Sequence, residues 1–143
     1  SPQAAWLRAD LAAHPSRCTV AMWHHPRHSS SSEGPTKAMQ PIFAILANAG
    51  VDVVLNGHAH AYERFPPMRA DATPDPNGMR VFIVGTGGSS LSSFGDGAVK
   101  SDVRDDGSHG VLRLVLRDGS YAWSFEPIDG DSFHDAGEGA CHD

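Results

Sequence analysis

Two short apolar runs and one helical pattern dominate the first part of the chain. Residues 18–23 and 51–55 are nearly continuous in hydrophobic side chains, as in parallel strands covered on both faces. Between them, apolar residues recur at spacings of three and four over positions 38–49, which predicts a helix that ends near Gly50. Strand, helix and strand in this order predict a βαβ unit with two parallel strands.

Further elements are predicted on both sides of this unit. Trp6, Leu7 and Leu11 lie on one stripe of a predicted helix over residues 2–14. Residues 80–85 form another apolar run, which predicts a buried strand. The glycines that follow are expected to let backbone segments pass closely under a site; they are Gly85, Gly87 and Gly88.

The end of the chain has the pattern of a β-hairpin. Residues 109–117 and 120–127 are rich in apolar side chains and flank Asp118 and Gly119, a strong turn signal. The side chains expected to face the core are Val111, Leu112, Leu114, Leu116, Tyr121, Trp123 and Phe125. The polar, glycine-rich residues from Asp129 onward are interpreted as a surface tail.

Histidines follow directly after two of the predicted strands. His24 and His25 follow the first, and Gly57 leads into His58 and His60 after the second. Residues i and i+2 of an extended chain point the same way, so His58 and His60 are expected to face one spot. Parallel strands end at one edge of a sheet, where ligands bind in α/β folds, so His24 should converge there. These three imidazoles predict a metal site.

The sequence around these histidines resembles a known family. Residues 57–64, GHAHAYER, resemble the Gly-His-x-His-x-Tyr-Glu-Arg motif of purple acid phosphatases, within the calcineurin-like metallophosphoesterases. Residues 24–26, HHP, resemble their preceding His-x-Pro motif. The order of elements along nearly the whole chain is similar to the C-terminal half of that family, and closest to its compact bacterial members. The resemblance implies an α/β fold over residues 1–143: half of a β-sandwich flanked by helices, with a βαβ unit and an antiparallel hairpin.

The resemblance also implies a reaction and its cofactors. Family members hydrolyse phosphate esters with hydroxide activated at a pair of metal ions, here iron, zinc or manganese. By motif, His24 and His58 would bind one ion and His60 the other. The family's remaining ligands come from earlier motifs that this chain lacks. We therefore expect activity to require an N-terminal half of the same protein, either preceding this chain or present as a separate one.

Two histidines are candidates for proton transfer. Cleavage of a phosphoester needs a proton for the departing alkoxide, and histidine titrates in the right range, which makes His25 and His28 candidate general acids or phosphate ligands. The serines at 29–32 are interpreted as a solvated loop. Glu63 and Arg64 are expected to brace the motif by ion pairing.

Composition narrows the possible partners and the compartment. The net charge of −6 and the lack of a basic run argue against nucleic-acid binding, and no apolar stretch is long enough for a membrane span. Cys18 and Cys141 are the two cysteines, and they lack metal-binding spacing. A disulfide between them, or to the N-terminal half, would fit a secreted or periplasmic protein.

Two other functions stay open at this stage. His24, His58 and His60 could hold a single zinc with an open fourth position, as in a mononuclear hydrolase. Alternatively, the chain is a non-catalytic binding module whose histidines have no role in chemistry. The number of bound metal ions, two, one or none, separates the three hypotheses.

Overall fold

The computed structural model describes residues 1–95 and 99–142, which form two β-sheets with helices packed on the first. This mixed α/β architecture confirms the predicted fold class. The elements in chain order are α1 (Pro2–Ala13), β1 (Val20–Trp23), a 3₁₀ turn (Lys37–Met39), α2 (Gln40–Asn48), β2 (Val53–Asn56), β3 (Tyr62–Arg64), β4 (Arg80–Val84), β5 (Val103–Asp105), β6 (Gly110–Arg117), β7 (Ser120–Pro127) and β8 (Ala136–Ala140).

The first sheet contains the predicted βαβ unit. Its strand order is β1-β2-β4-β3-β5, with β1, β2 and β4 parallel and β3 antiparallel to both of its neighbours. Strands β1 and β2 are in register from Val20 opposite Val53 to Trp23 opposite Asn56. The two strands therefore end side by side, and the residues that follow them start from the same sheet edge.

The helices cover one face of this sheet. Phe43 and Leu46 of α2 pack into a core with Val54 and Ile83, as the helical spacing predicts. Gly50 ends the segment at a φ of 73°, a left-handed conformation that glycine adopts without strain. Helix α1 packs through Leu7 and Leu11, but Trp6 is 60% exposed and does not join the predicted stripe.

The second sheet has the order β6-β7-β8, and its first two strands form the predicted hairpin. Tyr121, Trp123 and Phe125 are buried as predicted, and Leu112 and Leu114 pack with them. The prediction was wrong for Val111 and Leu116, which are 60% and 49% exposed. Val111 lies on the face opposite to Leu112 because neighbouring strand residues alternate, and Leu116 lies at the turn end of the hairpin.

The core between the sheets is aromatic. Tyr62 and Phe82 of the first sheet pack with Trp123 and Phe125 of the second. The guanidinium groups of Arg64 and Arg80 lie 5.2 and 4.8 Å from the centre of the Trp123 ring, at cation–π distance.

The interpretation of the C-terminal residues as a surface tail is wrong. Residues 136–140 form β8, which pairs with β7, and the chain then reaches Cys141, which forms a disulfide with Cys18. Gly137 and Gly139 lie directly under Trp123 and Tyr121. Their polar, glycine-rich sequence is the signature of a strand that accommodates large aromatic rings on its neighbour, which resembles a loop when read alone.

Within residues 1–95 and 99–142, no helix is both long and apolar enough to cross a bilayer.

Replacing Gly137 by alanine tests the packing of β8. The new methyl carbon would lie 2.5 Å from Cζ2 of Trp123, so the ring must shift. We expect Gly137→Ala to lower the free energy of unfolding by about 1–3 kcal/mol, the usual range for overpacking. Urea unfolding followed by tryptophan fluorescence measures this. Gly107→Ala, which would meet one flexible side chain at 3.9 Å, is the control, and equal stability of the two variants would contradict the prediction.

Candidate metal centre

Hydrogen bonds to backbone carbonyls join the two strand ends that carry the histidines. The side-chain amide of Asn56 donates to the carbonyl of Trp23 at 2.9 Å, and the amide of Gly57 donates to the carbonyl of His24 at 3.1 Å. The indole of Trp23 donates to the carbonyl of His25 at 2.6 Å. The segment of His24 and His25 is thus held against the start of the second motif.

Three imidazoles converge at this edge. The potential ligand nitrogens of His24, His25 and His58 all lie within 4.8 Å of one another. The ring of His58 lies 5.2 Å from that of His24 and 4.4 Å from that of His25, measured between centroids. Among the described residues, no other group of three histidine, cysteine or acidic side chains meets this spacing. Such a donor set suits a borderline transition metal such as zinc, which imidazole nitrogens bind at about 2.0–2.1 Å.

The backbone at His58 differs from the extended chain that the sequence predicts. Strand β2 ends at Asn56, and His58 has a φ of 64°, in the left-handed region. Non-glycine residues adopt this region rarely, and they cluster at functional sites when they do. The chain is therefore not extended at His58, and the expectation that His58 and His60 face one spot loses its basis. His60 lies outside the converging group, and His25 takes its place.

Gly85 confirms part of the prediction for the glycine-rich turn. A methyl group at this position would collide with the carbonyl oxygen of Ala59, so only glycine lets the end of β4 approach the histidine segment. Gly87 and Gly88 have open space around them, so the expectation of a close approach was wrong for these two.

His60 is held by the segment that follows β4. Its ring Nδ1 lies 3.0 Å from the carbonyl oxygen of Ser90. Since a carbonyl only accepts, this contact is a hydrogen bond when Nδ1 carries the proton, which leaves the Nε2 lone pair free for a metal.

Glu63 is buried and holds the serine loop. Its side chain is 1% exposed and accepts hydrogen bonds from the amide of Ser30 at 3.0 Å, from the hydroxyl of Ser30, and from the hydroxyl of Ser29 at 3.4 Å. The serines at 29–31 are buried, so the interpretation of this segment as a solvated loop is wrong. Glu63 braces the site through amide and hydroxyl donors and not through the expected ion pair.

Arg64 forms the expected ion pairs, with partners on other elements. It donates to Asp135 through Nε at 2.7 Å and Nη2 at 3.1 Å, and to Asp102 at 3.1 Å. Asp135 also accepts from Tyr62 at 2.6 Å and from Trp123 at 3.2 Å. Burial would raise the pKa of Asp135, but the hydrogen bonds from Arg64 and Tyr62 outweigh it and hold this pKa below its usual range.

His28 differs from His24 and His25 in being buried, whereas those two are exposed. Its ring is 5% exposed, packs edge-on against Phe43 at 5.0 Å, and leaves Nε2 without a hydrogen-bond partner. Burial and the charge of Arg27 lower the pKa of His28 to about 4. A buried imidazole that stays neutral at pH 7 is poorly placed to donate a proton to a leaving group, whereas His25 is exposed beside His24 and His58.

Comparisons with known proteins show which proteins the chain resembles. No family model matches the chain. Purple acid phosphatase 22 of Arabidopsis thaliana is 36% identical over 136 residues, which cover 87% of this chain and 31% of that protein. Purple acid phosphatase 21 of the same plant is 33% identical over 127 residues, covering 80% of this chain and 29% of that protein. The structure of a purple acid phosphatase from yellow lupin (Lupinus luteus) seeds superposes with a TM-score of 0.82 at 20% identity, over 98% of this chain and 28% of that one.

The chain is homologous to purple acid phosphatases and shares their fold. It spans less than a third of the length of the two Arabidopsis relatives. The expected likeness to bacterial members gains no support, because these relatives are plant proteins.

Replacing Asp135 by asparagine tests the link between the motif and the second sheet. We expect Asp135→Asn to lower the free energy of unfolding by about 3 kcal/mol at pH 7, because Arg64, whose side chain is only 12% exposed, loses its nearest counter-charge. The folded pKa of Asp135 is below the ordinary 3.8, so its stabilisation is present above that pH and is lost as pH falls through the folded value. The difference between variant and wild type should therefore narrow below pH 3.8. The exposed Asp129→Asn is the control. An equal loss of stability in Asp129→Asn and Asp135→Asn would contradict the prediction.

Replacing His28 by phenylalanine tests its buried neutral state. The folded pKa of about 4 lies below the ordinary 6.5, so the unfolded chain takes up the proton first as pH falls. This imidazole should cost the wild type up to about 3 kcal/mol of stability between pH 6.5 and 4. We expect His28→Phe to remove that part of the pH dependence in urea unfolding. The exposed His134→Gln is the control. If the unfolding free energy of His28→Phe depends on pH between 4 and 6.5 as that of the control does, His28 is not buried as a neutral imidazole.

Proposed function

We propose that the chain is the C-terminal part of an enzyme that hydrolyses phosphate esters at a dinuclear metal centre. The convergence of His24 and His58 at the ends of two adjacent parallel strands carries this proposal. Homology to purple acid phosphatases supports phosphoester hydrolysis as the reaction class. In this proposal, His24 and His58 bind one metal ion, and His60 binds the second through Nε2.

The donor set implies that further ligands come from elsewhere. The converging group contains imidazoles only, whereas a pair of iron, zinc or manganese ions in a phosphatase needs more ligands and a bridging group. We assign these ligands to an N-terminal half of the same protein, preceding this chain or associated with it as a separate one. The isolated chain would then be inactive.

An open groove next to His24 supports this assignment. The groove has a volume of about 560 Å³ and runs between the two sheets along Leu55 and Leu112. Met22 and Val111 on its walls are 78% and 60% exposed. Within the described residues, β1 and β6 each pair with one strand only, so both sheets have a free edge for additional strands. Exposed apolar side chains at a free sheet edge are usual where another segment packs.

The residues of this chain would have distinct roles in the reaction. When bound, the metal ions supply Lewis acidity that polarises the phosphoryl group and lowers the pKa of water. His24, His58 and His60 must be neutral to bind them, so binding weakens in acid. His25 is exposed next to His24 and His58 and would donate the proton that the departing alkoxide needs. His28 was also predicted for this role, and its burial favours His25.

The disulfide supports an exported protein. Cys18 and Cys141 are bonded, with Cα atoms 5.3 Å apart, and such bonds persist in oxidising compartments. We propose secretion or a periplasmic location on this basis.

A mononuclear site is the second candidate function, and one observation favours it. His24, His25 and His58 already lie within 4.8 Å of one another, which is the donor count of a catalytic zinc with an open fourth position. This candidate site contains His25 where the sequence hypothesis has His60. One ion per chain, lost in His25→Ala and retained in His60→Ala, would establish this alternative.

Replacing His58 by alanine tests the principal proposal. In a sample that includes the N-terminal half, elemental analysis should find close to two metal ions per wild-type chain. We expect His58→Ala to lose metal and phosphatase activity toward p-nitrophenyl phosphate, with little change in its circular dichroism, because the side chain is partly exposed. His134→Ala, an exposed histidine outside the cluster, is the matched control. Unchanged metal content in His58→Ala would refute the assignment.

A further inference from the structure

His60 is held by three hydrogen bonds to one short segment. The backbone amide of His60 donates to the hydroxyl oxygen of Ser92 at 3.2 Å, and the amide of Ser92 donates to the carbonyl of His60 at 2.8 Å. The ring Nδ1 of His60 meets the carbonyl of Ser90 at 3.0 Å. Backbone and ring are therefore both fixed by residues 90–92, about thirty positions further along the chain.

The hydroxyl of Ser92 is itself oriented. It donates its only proton to the carboxylate of Glu33 at 2.6 Å, so its oxygen is left to accept from the amide of His60. Glu33 also accepts from the hydroxyl of Ser31 at 3.1 Å. Hydrogen bonds to a charged acceptor are the stronger ones, so the carboxylate sets the direction of the serine hydroxyl.

Further backbone bonds fix the position of Glu33. The amide of Ser32 donates to the carbonyl of Ser93 at 2.8 Å, and the amide of Gly95 donates to the carbonyl of Ser30 at 2.7 Å. Ser30 is bound in turn by the buried carboxylate of Glu63. The loop after the His-x-Pro motif and the loop after β4 thus form one hydrogen-bonded unit around His60.

We propose that Ser92, anchored by Glu33, is a positioning residue that presents Nε2 of His60 to a metal ion. The inference rests on the proposed role of His60 as a ligand. A ligating histidine needs its other ring nitrogen held by an acceptor, which fixes both tautomer and ring direction. Here the carbonyl of Ser90 supplies that acceptor. Ser92 fixes the backbone of His60, and this keeps the imidazole at hydrogen-bonding distance from the Ser90 carbonyl. Removing such a partner from a metal site typically weakens metal affinity by about 10–100-fold.

The test compares Ser92→Ala with Ser93→Ala, its neighbour, whose hydroxyl is exposed and whose backbone bond survives the substitution. In a sample that includes the N-terminal half, titration with Co²⁺ should show an affinity about 10–100-fold lower in Ser92→Ala and unchanged in Ser93→Ala. Ser92→Thr keeps the hydroxyl and should restore binding. Glu33→Gln keeps the shape of the anchor without its charge, and we expect it to weaken Co²⁺ binding in the same direction.

A second readout reports on the ring without any metal. In metal-free protein with ¹⁵N-labelled histidine, the ring shifts of His60 should indicate a proton on Nδ1 in the wild type. In Ser92→Ala, the two tautomers should be mixed. Wild-type ring shifts together with wild-type Co²⁺ affinity in Ser92→Ala would overturn the proposal.

His60→Ala separates this inference from the proposed function. If His60→Ala loses Co²⁺ affinity but Ser92→Ala does not, His60 is a ligand and the positioning role fails. If His60→Ala binds Co²⁺ as the wild type does, the ligand assignment fails, and the positioning role fails with it.

Discussion

The position of the segment that carries His58 and His60 depends on one buried carboxylate. Asp135 accepts hydrogen bonds from Tyr62 and Arg64 of β3 and from Trp123 of β7, so it joins the two sheets. Buried charges and hydroxyls are costly without partners, and here each satisfies the others. Strand β3 begins two residues after His60, so whatever fixes β3 against the second sheet also limits where the histidines can lie.

The three polar side chains of β3 lie on opposite faces of the strand, because side chains alternate along it. Tyr62 and Arg64 point to Asp135, while Glu63 between them points to the serine loop through Ser30. Three residues therefore tie the histidine segment to the second sheet on one side and to the loop after β1 on the other. This arrangement gives the Tyr-Glu-Arg part of the motif a structural role beside the candidate ligands, which does not require contact with substrate.

The sequence patterns predicted the elements that are set by residues close together in the chain. Helix α2, strands β1 and β2 and the hairpin were found from periodicity and turn residues, and all lie close to their predicted positions. Strand β8 was missed because Gly137 and Gly139 are explained only by aromatic rings on another strand. The burial of Ser30 was missed for a similar reason, since its partner Glu63 is 33 residues away and carries no signal that pairs the two. Partners so distant in sequence are set by tertiary packing, which single-sequence patterns do not contain.

His58 belongs to the converging group and His60 does not, which bears on how many metal ions the site would hold. The spacing of two residues predicts a shared ligand position only in extended chain, and the φ of 64° at His58 breaks that condition. His58 then joins His24 and His25, while His60 is bound separately at Ser90. A single zinc held by His24, His58 and His60 would require these rings to converge. In the proposed pair of ions, His58 and His60 would bind different ions, so their rings need not converge. The backbone conformation of one residue thus favours the dinuclear proposal over the three-histidine site first considered.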